Sequence, residues 1–153
     1  MEIKVKAGDS APEFEAVTSE GTKLGLKDLV GKKNIVLYFY PKDDTPGCTK
    51  EACSFRDNIQ AVRKMGAEVV GVSLDGVESH KKFTSKYNLP FPLISDKEKR
   101  IATAYGVLKD TGASASRVTF IIDKSGKVAK VFPSVDVAKH TQEVIEALKA
   151  ISN

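Results

Sequence analysis

Six consecutive residues, Ile35-Val36-Leu37-Tyr38-Phe39-Tyr40, are aliphatic or aromatic, and Pro41 ends the run. A short, uninterrupted apolar stretch predicts a strand buried on both faces, as at the centre of an α/β sheet. From Pro46-Gly47 the period changes, and Ala52, Phe55, Ile59 and Val62 recur at helical spacing as far as Met65-Gly66. The alternation then repeats. Residues 68–74 predict a strand, 77–87 an amphipathic helix, 91–94 a short strand between Pro90 and Asp96, and 97–105 a further helix. Residues 117–122 and 127–132 predict two strands around Asp123-Lys124-Ser125-Gly126, which carries hairpin chemistry. Residues 137–151 predict a closing helix with Val144, Ile145, Leu148 and Ile151 on one side. Upstream, residues 8–12 and Ser19-Glu20-Gly21 punctuate a stretch of alternating character that predicts a β-hairpin. Repeated βαβ units followed by an antiparallel hairpin and a helix give an α/β fold, a mixed sheet with helices on both faces. No repeat, linker or low-complexity segment interrupts residues 1–153, which read as one domain.

A chain of 153 residues can bury roughly 68–70% of its unfolded surface, enough to fold without a staple. Its 41% hydrophobic and 29% charged content is that of an ordinary soluble protein. No apolar run approaches the about 18 residues that a membrane span needs. Residues 1–9 mix Glu, Lys and Gly without an apolar segment, so no secretory signal is read and a cytoplasmic location is expected. The net charge of +4 comes from scattered pairs such as Lys32-Lys33 and Lys81-Lys82, interleaved with acids as in Asp96-Lys97-Glu98-Lys99-Arg100. Nucleic-acid binding usually needs a basic stripe or patch, so it is set aside.

The two cysteines, Cys48 and Cys53, narrow the chemistry. In a reducing cytosol, paired thiols point to metal or redox work rather than a structural disulfide. Structural zinc wants four ligands, and the two histidines, His80 and His140, lie far along the chain in helical patterns of their own. Redox chemistry remains. The segment Pro41-Lys42-Asp43-Asp44-Thr45-Pro46-Gly47-Cys48 joins a buried strand to a helix, where ligands bind in open α/β sheets. Cys48 falls in the first helical turn, where free N–H groups and the helix dipole favour a thiolate. The dipole contributes at most ~2 kcal/mol, about 1.5 pKa units, so a free thiol with its pKa near about 8.5 also needs a cation to ionise fully. Arg56 sits roughly 12 Å along the axis, too far; Arg117, at the start of the next core strand, is the better candidate. Cys53, five residues after Cys48, lies about 140° around the helix with Cα atoms roughly 8–9 Å apart. A disulfide needs about 4.4–6.8 Å. The two either never pair or do so only after a helical turn unwinds; the plainer alternative makes Cys53 a small buried helix residue.

Pro41-x-x-x-Thr45-x-x-Cys48 resembles the active-site pattern of the peroxiredoxins, and the run from Asp44-Thr45-Pro46-Gly47-Cys48 through Glu51-Ala52-Cys53 is similar to their bacterioferritin comigratory protein (peroxiredoxin Q) branch. The similarity continues through Gly71-Val72-Ser73, His80 to Phe83, Leu89-Pro90-Phe91-Pro92-Leu93 and Arg117 to Asp123, nearly the whole chain. The resemblance implies a thioredoxin-like fold and thiol-dependent reduction of hydrogen peroxide and organic hydroperoxides, with no cofactor or metal. It implies that Cys48 is the peroxidatic cysteine, passing through a sulfenic acid, and that Cys53 resolves it as an intrachain disulfide. Thr45 would orient thiolate and peroxide, Pro41 shield them from water, and Arg117 stabilise the thiolate and the breaking O–O bond. First-turn N–H groups would hold the other oxygen. A thioredoxin, or a thioredoxin-like or glutaredoxin-like protein, would reduce the disulfide, on a monomer or weak homodimer. The small, polar loop 109–116 departs from relatives that carry bulkier residues before the arginine.

Rival readings fit less well. A thioredoxin-type oxidoreductase needs Cys-x-x-Cys, and a cysteine phosphatase or arsenate reductase needs an arginine six residues after the cysteine, where Ser54 stands. A redox sensor or holdase would be oxidised once without turnover. His80, beside Lys81 on an amphipathic helix, and His140 are expected at the surface or as caps, Asp43 and Asp44 as turn formers, and Glu51 as an anchor of its helix.

Overall fold

The computed structural model describes residues 2–151. Its centre is the expected apolar strand, β3 (Asn34–Phe39), buried along its whole length. It pairs in parallel with β4 (Ala67–Ser73) and antiparallel with β6 (Val118–Ile122). β5 (Leu93–Ser95) and β7 (Val128–Phe132) close the two edges of the mixed five-stranded sheet, in the order β5-β4-β3-β6-β7. A separate antiparallel hairpin near the amino terminus joins β1 (Glu15–Val17) to β2 (Lys23–Gly25).

The strand's alternation creates two cores. Ile35, Leu37 and Phe39 face one side, with Phe14, Leu26 and the residues Ile101, Ala102 and Tyr105 of α4 (Arg100–Tyr105). Val36, Tyr38 and Tyr40 face the other, with α1 (Pro46–Asp57), α2 (Ile59–Lys64), Phe83 of α3 (Val77–Tyr87) and the apolar stripe of α5 (His140–Ile151). The expected thioredoxin-like α/β architecture, with helices on both faces, is therefore the one observed.

Three predicted helices have different bounds, each for a local reason. The helix expected to run to Met65 breaks at Asn58, whose Nδ2 donates to the Ser54 carbonyl at 2.8 Å. That bond replaces the helical one, and the Asn58 N–H turns to Phe55 instead. The helix expected from 97 starts at Arg100, because the Asp96 carboxylate accepts from the N–H groups of Ile101 and Ala102 across a turn with Lys99 at φ 65°. The last helix starts at His140 rather than 137, after a turn in which Asp136 Oδ1 accepts from the Ala138 N–H.

One glycine sets where α1 can lie. A Cβ on Gly71 of β4 would stand 2.9 Å from the Tyr38 ring and 2.7 Å from Leu93, so only glycine leaves room for that ring. Tyr38 in turn packs at a tilt against Phe55 of α1, 4.9 Å between centroids, and Phe91 closes over Phe55 edge-on at 6.5 Å. The second half of α1 is thus pinned to the sheet by an aromatic cluster.

Candidate active site

β3 delivers Tyr40 and Pro41 to the sheet's carboxyl edge, and the chain reverses through residues 42–45 into α1. Asp44 takes the left-handed conformation at φ 57°, and its carboxylate accepts from Lys86 Nζ and Tyr87 Oη, both at 2.8 Å. Thr45 occupies the N-cap of α1 but does not cap it. Its hydroxyl donates to the Lys42 carbonyl at 2.9 Å. The helix therefore begins with Pro46 and no acidic residue in its first turn, and the N–H groups of Gly47 and Cys48 have no helical acceptor behind them.

Cys48 is buried at 1% exposure in that turn. Arg117, just before β6, donates from Nη2 to Cys48 Sγ at 3.4 Å and from Nη1 to Glu51 Oε1 at 2.7 Å. Its guanidinium lies over Gly47, where an added Cβ would stand 3.0 Å from Nη2. Burial works against the Arg117 charge, but Glu51 and Cys48 more than offset it and hold its pKa above the usual arginine range. Glu51 is 1% exposed, and its other oxygen, Oε2, is buried without a partner among the described residues. Burial pushes its carboxyl up to about 7, with Arg117 pulling the other way. The sequence suggests that Glu51 anchors its own helix; in the structure it anchors Arg117 instead.

Pro41 stands half-buried at the head of the loop and Thr45 half-buried at its end. Pro41, Thr45, Cys48 and Arg117 are thus gathered by one loop, one helix start and one strand start. Cys53 lies on the same unbroken helix, partly exposed, and both cysteines are free thiols. Arg56 reaches away from Cys48, donating to the Tyr87 carbonyl at 2.7 Å and to Asp57 Oδ1 at 2.9 Å. It is no rival to Arg117.

Neither histidine is the surface or capping group that the sequence suggests. His80 is fully buried, with Nδ1 2.6 Å from Asp43 Oδ2 and Nε2 3.0 Å from the Ile94 carbonyl. It shares a stripe with Phe83 and Tyr87 at i, i+3 and i+7, a signal that Lys81 and Lys82 mask. His140 is 1% exposed and bonded through Nε2 to Thr119 Oγ1 at 2.7 Å; burial lowers its pKa, against the pull of Glu143. Asp44 is the expected turn former, whereas Asp43 is buried in a polar network.

The AhpC/TSA family model matches residues 7–131. Putative peroxiredoxin bcp of Coxiella burnetii (strain RSA 493 / Nine Mile phase I) is 47% identical over 152 residues, covering 95% of this chain and 100% of that protein. The crystal structure of peroxidoxin BcpB from Mycobacterium tuberculosis superposes with a TM-score of 0.90 at 36% identity, over 96% of this chain and 98% of that one. A structure of the bacterioferritin comigratory protein of Xanthomonas campestris, from work on its alkyl peroxide reduction activity with trapped intermediate and ligand complexes, gives 0.88 at 34% identity, over 99% of this chain and 100% of that one.

Arg117→Ala should slow alkylation of Cys48 by iodoacetamide at neutral pH by about 10–100-fold, the loss expected for a hydrogen bond to a charged group. An unchanged rate would show that the guanidinium does not activate the sulfur. Glu51 gives a second expectation with a defined sign. Its folded pKa of about 7 stands above the usual carboxylate value of about 4.3, so its stabilising contribution is complete below about 4.3 and is lost as pH rises through about 7. Urea unfolding of wild type and Glu51→Gln from acid to mildly alkaline pH should show the wild type losing roughly 2–4 kcal/mol relative to the variant. A pH-independent difference would contradict this.

Proposed function

Because this chain belongs to the AhpC/TSA family, and within it to the Bcp/peroxiredoxin Q group, we propose that Cys48 is the sulfur that attacks the peroxide and Cys53 the sulfur that resolves it. The protein is a peroxiredoxin, a thiol peroxidase that reduces peroxides with a thioredoxin-type reductant. The observation that carries the residue assignment is the Arg117 fork, which touches Cys48 and leaves Cys53 alone.

In the proposed cycle the Cys48 thiolate, held by Arg117 Nη2, attacks one peroxide oxygen, and the O–O bond breaks. The leaving oxygen departs as water or an alcohol after taking a proton, and Cys48 is left as a sulfenic acid. The free N–H groups of Gly47 and Cys48 face the charge that develops. Thr45 has committed its proton to Lys42, so its oxygen is available to accept the peroxide's O–H. Pro41 shields the site. Cys53 then displaces hydroxide from the sulfenic sulfur, forming a disulfide that a thioredoxin, or a glutaredoxin-like protein, reduces by exchange. Both cysteines lie on continuous α1, where five residues of helix separate their Cα atoms by more than a disulfide allows. Resolution therefore requires the turn from Cys48 to Cys53 to unwind. A relay inside one chain needs no partner subunit, so one domain acting as a monomer or weak dimer suffices, as does a cytoplasmic location. Organic hydroperoxides are included as substrates because the similar Xanthomonas campestris protein is described as reducing alkyl peroxides.

Cys48→Ser should abolish peroxide turnover, while Cys53→Ser should leave the first oxidation intact, slow recycling and favour the sulfinic acid. Stopped-flow oxidation with peptide mass mapping separates the two, and equal loss of the first step in both variants would show that the roles are misassigned. Amide exchange provides an independent check. Residues 48–54 should lose protection on oxidation, while β3 keeps it; identical protection in the two redox states would exclude unwinding.

A further inference from the structure

One buried side chain of the loop takes no part in the proposed cycle. Asp43 is 7% exposed, and its carboxylate leaves the cysteine side for the start of α3. Oδ1 accepts from Tyr40 Oη at 2.6 Å, and Oδ2 from Ser79 Oγ at 2.8 Å with His80 Nδ1 at 2.6 Å. Its backbone N–H donates to Asp75 Oδ2 at 2.9 Å, and that carboxylate is itself fixed by Ser73 Oγ at 2.6 Å. The Lys42 carbonyl belongs to the same peptide group as the Asp43 N–H, and it accepts from Thr45 Oγ1. An unbroken hydrogen-bonded path thus runs from the end of β4, through one peptide plane, to the hydroxyl of the threonine at the N-cap of the helix that carries Cys48.

His80 completes the clamp. Nε2 faces the Ile94 carbonyl, which only accepts, so that nitrogen holds a proton. The 2.6 Å Nδ1 to Oδ2 contact then needs a second proton between its two atoms. Ring and carboxylate are locked together between β5 and the loop.

We propose that Asp43 and His80 are positioning residues for peroxide reduction: they touch no substrate, but through the Lys42–Asp43 peptide they hold Thr45 where its oxygen can receive the peroxide. This rests on Cys48 being the attacking sulfur. A misplacement of about 1 Å at such a site can cost on the order of 100-fold in rate.

The test compares two rates at Cys48 in the full-length protein: reaction with hydrogen peroxide, and alkylation by iodoacetamide, which needs Arg117 but no orienting threonine. Asp43→Ala should lower the peroxide rate by about 10–100-fold and leave alkylation unchanged or faster. Tyr40→Phe, a milder loss of one donor, should lower the peroxide rate by about tenfold, and it decides the matter if Asp43→Ala does not fold. Asp43→Asn should recover most of the rate, because its amide can accept from Tyr40 and donate to the His80 Nδ1 of a neutral ring. An unchanged peroxide rate in folded Tyr40→Phe, or peroxide and alkylation rates that fall in step, would overturn the proposal. Mass mapping of the wild type that places the first oxidation on a residue other than Cys48 would instead overturn the underlying assignment.

Discussion

A single guanidinium divided between a sulfur and a buried carboxylate governs this site. Arg117 donates one nitrogen to Cys48 and another to Glu51, so the cation is anchored from the same helix whose first turn it serves. Without Glu51, the arginine's flexible stem would have to be ordered by the sulfur alone. Without Arg117, a carboxyl at 1% exposure would have no charge partner, a strongly unfavourable burial. Burial raises the carboxyl's pKa and the ion pair with Arg117 pulls against it. Gly47 fits the same constraint, since a Cβ there would stand 3.0 Å from Arg117 Nη2 and press on the guanidinium.

In the proposed cycle that arrangement has to coexist with a helix that comes apart. The two halves of α1 are built differently. The second half is tied down by Phe55 against Tyr38 and Phe91, by Ser54 Oγ against Thr141 Oγ1 at 2.6 Å, and by Arg56 on the Tyr87 carbonyl. The first half has Pro46 and Gly47 at its start, and no side-chain cap. A cap contributes about 1 kcal/mol, and glycine is roughly 1 kcal/mol less favourable than alanine within a helix. Its main tertiary ties are Cys48 and Glu51 to Arg117, together with the buried Ala52. In the proposed cycle, oxidation of Cys48 to a sulfenic acid takes away the partner of Arg117 Nη2, so the chemistry itself would loosen the weaker half.

The sheet is legible in the sequence because β3 has an unbroken apolar run and Pro41 marks its end; buried central strands carry that signal however the chain is wound. Helix ends are less legible. The starts of α4 and α5 are set by the side chains of Asp96 and Asp136 turning back on the backbone, which apolar periodicity does not register. Of the proposed site, Cys48 is marked by its place at a helix start and Arg117 by its place before a core strand, while Pro41 and Thr45 stand out only through the family pattern they match. The Glu51 contact and the Asp43–His80 pair are not, because partners 66 and 37 residues apart meet only through the crossover of strands and helices. His80 shows the difficulty plainly. Flanked by lysines it reads as polar surface, and only the i, i+3, i+7 relation to Phe83 and Tyr87 turns it inward.

What unites loop and helix is a cap that is not made. Were the Thr45 hydroxyl to accept from the N–H groups of the first turn, as an N-cap threonine commonly does, α1 would be firmer and its positive end already satisfied. Instead the hydroxyl donates to Lys42, a carbonyl whose peptide group is fixed by Asp75. The same displacement leaves backbone donors open to an anion, turns the threonine oxygen into an acceptor, and spares the helix start a stabilising bond. Affinity for a developing negative charge and readiness to unwind are then two results of one unformed hydrogen bond, and a stronger helix start would diminish both.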